Sequence, residues 1–108
     1  MPSVIEKDAL IIGGGIAGLW MLNRLRAEGY DVMLLEKNKL GTGQTIASQG
    51  MIHGGIKYAL NGNLNSASEA IADMPNHWKS CLAGTGDVDL TSTNILSEHY
   101  YTWPRNSL

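Results

Sequence analysis

Four glycines fall within six residues near the start of the chain, in the run Gly13-Gly14-Gly15-Ile16-Ala17-Gly18. The residues before this run, 8–12, are mainly apolar and end in two β-branched isoleucines, which predicts a short strand buried on both faces. The residues after it carry apolar side chains over a broad arc, which predicts a helix over 15–28 packed under other layers. The chain is therefore expected to turn tightly from a strand into a helix.

A second strand is predicted directly after this helix. Gly29 stands where a left-handed C-terminal cap belongs, and the apolar residues 32–35 end at Glu36. Strand, helix and strand fit within about 30 residues, the size of one βαβ unit. The sequence predicts an α/β fold with a parallel sheet, beginning as a Rossmann-like unit.

The glycine run satisfies the G-x-G-x-x-G pattern of dinucleotide-binding proteins, which alone is a weak signal. Its context makes it stronger, because it follows a predicted strand and opens a predicted helix. Gly13 is expected to allow the turn, Gly15 to let a diphosphate approach the backbone, and Gly18 to let helix and strand pack closely. The N–H groups at the helix start, including those of Ile16 and Ala17, are expected to bind the phosphates.

Glu36 completes the pattern. It follows Gly18 by 18 residues, close to the spacing of about 20 at which an acidic residue binds the ribose hydroxyls. A carboxylate there also repels a 2′-phosphate, which argues against NADP. The pattern leaves FAD and NAD both open. The alternative without function is a structural turn followed by a solvated strand end.

The rest of the chain has weaker signals. Residues 37–63 are rich in glycine and predict a long loop with a helical turn near 45–50. Apolar residues at helical spacing predict a helix over 64–82, which Pro75 should kink or divide. Residues 87–103 alternate loosely and are rich in Thr, Ile and Tyr, which predicts one or two strands.

Composition excludes several classes of protein. The net charge is −2 and the 8 Lys and Arg are scattered, so we expect no nucleic acid partner. The three histidines are scattered and Cys81 is the single cysteine, so we expect no metal site, a buried thiol and a cytoplasmic location. No segment is apolar enough for a transmembrane helix, although peripheral membrane contact stays open.

Three segments together resemble the D-amino-acid oxidase superfamily of FAD-dependent oxidoreductases. They are residues 8–19, residues 32–37, and residues 47–58, which read Ala-Ser-Gln-Gly-Met-Ile-His-Gly-Gly-Ile-Lys-Tyr. The last is similar to the loop after the second strand in the glycerol-3-phosphate dehydrogenase and 2-hydroxyglutarate oxidase branches. The resemblance covers about residues 8–78 and implies FAD as the cofactor.

In that family the loop lies along the flavin, which implies further cofactor contacts. Thr45, Ser48 and Gln49 would contact the diphosphate or ribityl chain, and Lys37 would lie near the adenine. Met51, Ile52 and His53 would approach the isoalloxazine ring. For His53 the competing interpretation is a loop histidine bonded to backbone, with its neighbouring glycines allowing a turn.

Members of the family are several times longer than 108 residues, so the resemblance implies an N-terminal portion. We expect residues 1–108 to form part of an FAD-binding domain, with the substrate domain absent and the remainder of the flavoprotein chain expected elsewhere. The implied activity is oxidation of a small hydroxy acid, polyol phosphate or amino acid, and this portion alone is expected to be inactive. The alternatives are an NAD-binding dehydrogenase domain and a non-catalytic remnant. The sequence identifies no catalytic residue.

Overall fold

The structure is a computed structural model that describes residues 1–55, 62, 66–99 and 101. The chain divides into two compact units, Met1–Gly50 and Met51–Leu108. The first contains the glycine run and Glu36. The second contains His53 and Cys81.

The first unit is a βαβ unit, as predicted. Strand β1 (Ala9–Ile12) leads into helix α1 (Ile16–Ala27), and strand β2 (Val32–Leu35) follows. The strands are parallel, with Ala9 opposite Val32 and Ile12 opposite Leu35. Parallel pairing brings the carboxyl ends of both strands to the same edge, where the glycine run and Glu36 meet. The fold class predicted from the sequence is confirmed.

The glycine after α1 ends the helix as predicted. Gly29 has φ +94°, a conformation that side chains disfavour. Its N–H donates to the Arg26 carbonyl at 3.0 Å, and the Tyr30 N–H donates to the Leu25 carbonyl at 3.1 Å. This pair of bonds is a Schellman motif, which satisfies carbonyls that the helix end leaves open.

Burial in this unit is less complete than the sequence predicts. Along β1, half-buried residues alternate with exposed ones, and Leu10 and Ile12 are 56% and 84% exposed. Helix α1 has no buried residue, and Ile16 and Met21 are half exposed. The prediction of a strand buried on both faces and of a deeply packed helix is therefore wrong for the described residues. The apolar pattern predicts which side chains favour burial but not what covers them. In this unit α1 packs on the two strands, and Leu10 and Ile12 stay exposed.

Helices dominate the rest of the described chain. The helical turn predicted near 45–50 is α2 (Gln44–Ala47). The helix predicted over 64–82 is divided, into α3 (Ser66–Ala72) and α4 (Met74–Leu82), with residues 64–65 outside the described part. Pro75 lies in the first turn of α4, where its missing N–H costs no helical hydrogen bond. Cys81 in α4 is fully buried, as predicted.

The strands predicted within 87–103 do not form in residues 87–99 and 101, the part of that range that the structure describes. Asp89 Oδ1 accepts hydrogen bonds from the Thr91 N–H at 2.9 Å and from its hydroxyl at 2.7 Å. The Leu90 N–H donates to the Cys81 carbonyl at 3.0 Å. Short polar side chains thus bind the backbone locally, in competition with strand pairing. Across the whole part of the chain that the structure describes, no helix is long and apolar enough to cross a membrane.

Candidate cofactor-binding site

The glycine run makes a close turn between β1 and α1. Gly13 has φ +111°, and its N–H donates to the Leu35 carbonyl at 2.8 Å, extending the strand pairing. A Cβ at position 18 would overlap the carbonyl oxygen of Gly13. The turn therefore requires its first glycine for conformation and its last for close packing of helix on strand, the two roles expected from the pattern.

The N-terminus of α1 presents backbone donors at this turn. The Ile16 N–H donates to the Thr45 hydroxyl oxygen at 2.9 Å, and Thr45 belongs to α2. The next two N–H groups, those of Ala17 and Gly18, have no acceptor within the helix. No acidic residue occupies the first turn of α1, so no side chain of that turn neutralises the positive end of the helix dipole. These features favour the binding of an anion at the N-terminus of α1.

The Glu36 carboxylate is fixed to the turn through both of its oxygens. The Gly14 N–H donates to Oε2 at 2.6 Å, and the Asn38 N–H donates to Oε1 at 2.9 Å. The pKa of Glu36 is lowered below its ordinary value, mainly by the bond from Gly14, then by the bond from Asn38, with Lys37 making a smaller contribution. Both bonds favour the charged form, so Glu36 is an anion at neutral pH.

The segment that follows β2 closes around Gly14. Besides the bond from its N–H to Glu36, the Gly14 carbonyl accepts a hydrogen bond from the Gly41 N–H at 2.8 Å. Gly14 is buried, and a Cβ there would lie 3.1 Å from the Glu36 Cβ. The sequence did not identify Gly14, because G-x-G-x-x-G leaves its position free. A third consecutive glycine was the available signal.

The structure brings together six of the predicted site residues, which are Gly13, Gly15, Ile16, Gly18, Glu36 and Thr45. Ala17 adjoins them in the first turn of α1. Lys37, Ser48 and Gln49 are exposed, and over the described ranges none of their side chains bonds to the glycine run. Their predicted contacts with the cofactor stay predictions.

Met51 and His53 lie in the second unit, and both are exposed. His53 Nδ1 accepts a hydrogen bond from the Gly55 N–H at 3.1 Å, and Gly55 has φ +76°. This is the loop bond of the competing interpretation of His53. Its predicted approach to the flavin stays a prediction. No group of residues with metal-binding geometry is found in the described residues.

Comparison with known proteins places this geometry in a family. The family model of the FAD-dependent oxidoreductases matches residues 8–98. The probable FAD-dependent oxidoreductase PA4991 of Pseudomonas aeruginosa is 54% identical over 108 residues, which are 100% of this chain and 28% of that protein. Its crystal structure matches with a TM-score of 0.76 at 50% identity, over 91% of this chain and 24% of that one.

Glycerol-3-phosphate dehydrogenases are more distant relatives. The anaerobic enzyme of Haemophilus influenzae is 37% identical over 66% of this chain and 12% of the relative's own length. The aerobic enzyme of Escherichia coli is 36% identical over 62% of this chain and 13% of its own length. The chain thus spans well under a third of each of these relatives.

These matches confirm the resemblance inferred from the sequence and decide between the two cofactors that the glycine pattern left open, in favour of FAD. The chain belongs to the family of FAD-dependent oxidoreductases.

Proposed function

We propose that this chain is the FAD-binding portion of an oxidoreductase that oxidises a small hydroxy acid, polyol phosphate or amino acid. The observation that carries the proposal is the junction of three features at one edge of the sheet. They are a glycine turn, the N-terminus of α1, and a carboxylate bonded to that turn through the Gly14 N–H. The same junction suits the ADP half of FAD, which joins a diphosphate to a ribose.

The residues present fit such a group. The N–H groups of Ala17 and Gly18 are suitable donors for diphosphate oxygens. Gly15, whose φ is −80°, exposes backbone without a side chain beside them. A carboxylate has about four acceptor positions, and Glu36 uses two on backbone N–H groups. The others can accept hydrogen bonds from the ribose hydroxyls.

The predicted contacts along the rest of the cofactor complete the proposal. The Thr45 hydroxyl accepts the Ile16 N–H at the N-terminus of α1, so we assign this hydroxyl to the diphosphate. We assign Ser48 and Gln49 to the diphosphate or ribityl chain, Lys37 to the adenine end, and Met51 and His53 to the flavin ring. A bound flavin supplies the chemistry, since it accepts a hydride from a C–H beside a hydroxyl or amine.

Among the substrate classes, polyol phosphates have the most support, because relatives at 33–37% identity include several glycerol-3-phosphate dehydrogenases and an alpha-glycerophosphate oxidase. That support is indirect, since the chain covers 11–13% of those proteins. We assign no acid, base or nucleophile to these residues. We place the protein in the cytoplasm, on the ground that its single cysteine is a buried free thiol.

The test uses the full-length protein that carries this chain. Purified protein should show the visible absorbance of bound flavin, and calorimetric titration of the apoprotein should detect FAD in preference to NAD. Anaerobic addition of glycerol 3-phosphate should bleach the absorbance of the flavin. 2-Hydroxyglutarate and amino acids, tested in separate experiments, represent the other two substrate classes. Preference for NAD would overturn the cofactor assignment. Flavin that no such compound reduces would favour the non-catalytic alternative.

A further inference from the structure

We propose that Glu36 is a positioning residue that couples the two ends of the ADP site, because the carboxylate assigned to the ribose also holds the glycine turn that faces the diphosphate. This inference rests on the proposed function and goes beyond it. The G-x-G-x-x-G pattern gives its acidic residue one task, which is to bind ribose hydroxyls. The contacts of Glu36 give it a second.

The first step concerns the bond to Gly14. At 2.6 Å, the distance from the Gly14 nitrogen to Oε2 is short even for a hydrogen bond to a charged acceptor. Gly14 lies between Gly13, which makes the turn, and Gly15, which is expected to face the diphosphate. A restraint on the Gly14 N–H therefore restrains the peptide plane between Gly13 and Gly14, and the bond from the Gly41 N–H to the Gly14 carbonyl restrains the next plane, between Gly14 and Gly15.

The second step concerns the carboxylate itself. Its other oxygen accepts a hydrogen bond from the Asn38 N–H at 2.9 Å, so the plane of the carboxylate is fixed at both oxygens. Gly14 is also held through its carbonyl by the Gly41 N–H. The turn and the ribose acceptor are thereby fixed to each other before any ligand binds, which lowers the ordering cost of binding.

The consequence is a coupling between the two ends. If Glu36 served the ribose alone, its removal would matter only to ligands with ribose hydroxyls, and the lost negative charge would improve the binding of a diphosphate. If Glu36 also holds the glycine turn in its binding conformation, its removal lowers the affinity even for ligands that lack those hydroxyls. The two cases differ in the sign of the effect.

The experiment is a cycle of two proteins and two ligands. Wild-type and Glu36→Gln apoprotein, at full length, are titrated with FAD and with an FAD analogue that lacks both hydroxyls on the adenosine ribose. The substitution keeps the size of the side chain but leaves only one acceptor oxygen for the two N–H groups. We expect the substitution to lower the affinity for the analogue by about fivefold or more, the scale of ordinary couplings between sites. The affinity for FAD should fall by a larger factor.

Glu28→Gln provides the matched control. It makes the same change of charge at the far end of α1, where Glu28 pairs with Arg24 on the surface, and should leave both affinities unchanged. Unchanged or tighter binding of the analogue by Glu36→Gln would overturn the coupling while leaving the proposed function intact. Failure of the wild type to bind FAD would overturn both.

A measurement without any variant keeps the inference testable if Glu36→Gln does not fold. In wild-type apoprotein, hydrogen exchange resolved to single amides should be slower at Gly14, which is bonded to Glu36, than at Ala17, which lacks an acceptor in the helix. Equal or faster exchange at Gly14 would contradict a turn held by the carboxylate.

Discussion

The two ends of the β1–β2 pair are both closed by carboxylates, yet they differ in what they leave open. At the amino end, Asp8 Oδ2 accepts a hydrogen bond from the Asp31 N–H at 2.8 Å, and the Asp31 carboxylate pairs with Lys7 at 2.8 and 2.9 Å. At the carboxyl end, Glu36 accepts a hydrogen bond from the Gly14 N–H at 2.6 Å. Both contacts join the strands, so both are structural.

The difference lies in how the charge is satisfied. Lys7 neutralises Asp31, whereas Glu36 has no ion pair among the residues that the structure describes. Beside Glu36 lie the open N–H groups at the N-terminus of α1, whereas Asp31 follows the C-terminal end of α1 along the chain. The Asp31 charge is therefore paired within the fold, while the carboxyl end presents backbone donors and a carboxylate without an ion pair among the described residues. This contrast is the reason why we propose the ligand site at the carboxyl end of the strands.

Gly18→Ala should have the largest effect on the binding end. The added Cβ would overlap the Gly13 carbonyl oxygen, and backbone cannot yield as a side chain tip can. We expect destabilisation of about 1–3 kcal/mol, as for other overpacked sites, together with loss of bound FAD. Urea unfolding and flavin absorbance of the full-length protein measure the two effects. A stable variant that retains FAD would show that helix and strand need not be this close.

Thr45→Val should have the next largest effect. It removes the hydroxyl that accepts the Ile16 N–H while keeping the shape of the side chain. We expect a loss of about 0.5–2 kcal/mol in stability, the usual range for removal of a helix-capping oxygen, and weaker binding of FAD.

Thr42→Val is its matched control, because the Thr42 hydroxyl donates to the nearby Lys39 carbonyl and accepts no N–H from α1 among the described residues. It should change stability and affinity little. If the two valine variants behave alike in unfolding and in FAD titration, Thr45 has no special part in the site.

The contribution of Glu36 to the free energy of unfolding should depend on pH, and this effect should be smaller than those of the two preceding substitutions. Its folded pKa lies below the ordinary value of 4.5 because the Gly14 and Asn38 N–H groups bind the charged form. The contribution of Glu36 is therefore complete above pH 4.5 and is lost as the pH falls through the lower folded pKa. The difference in urea midpoint between wild type and Glu36→Gln should shrink over that acidic range. If the difference in urea midpoint stayed constant over that range, the charged form of Glu36 would not be the form that stabilises the turn.

Lys7→Met should have the smallest effect, because it changes the end of the strand pair that lies away from the proposed cofactor site. Exposed ion pairs contribute about 0.2–1 kcal/mol, and the Asp31 side chain is 63% exposed. We expect a slight loss of stability and an unchanged affinity for FAD, measured by the same titration. A clear loss of FAD affinity would show that the amino end of the strand pair also contributes to cofactor binding, and would contradict the proposed difference between the two ends.

The parts of the fold that the sequence predicts well are those with local causes. Strand, turn, helix and strand from Ala9 to Leu35 follow from apolar periodicity and from glycines at Gly13 and Gly29, which have positive φ. Pro75 divided the later helix for an equally local reason, its missing N–H.

The predictions that failed have two causes, which are burial that depends on partners distant in sequence and short-range side-chain bonds that compete with strand pairing. Leu10 and Ile12 are apolar enough for burial, but the pattern does not tell what covers them. The 87–103 range has the residues of a strand, yet Asp89 and Thr91 bind each other instead. The bond from Gly14 to Glu36 spans 22 positions, and no motif assigns a partner to the free position between the first two glycines of the pattern.

The most direct test of the central claim is the flavin content of Gly15→Val. Backbone at φ −80° and ψ −174° accepts a valine. An added Cβ would lie 3.1 Å from the Thr45 hydroxyl oxygen, so that side chain must shift by a few tenths of an ångström, and urea unfolding of the variant measures whether the fold is kept. Ala27→Val, an exposed change at the end of α1, is the control. If the turn binds the diphosphate of FAD, purified Gly15→Val will lose its visible flavin absorbance, with affinity reduced at least about tenfold, while the control keeps both. A folded Gly15→Val protein with undiminished flavin would contradict the account.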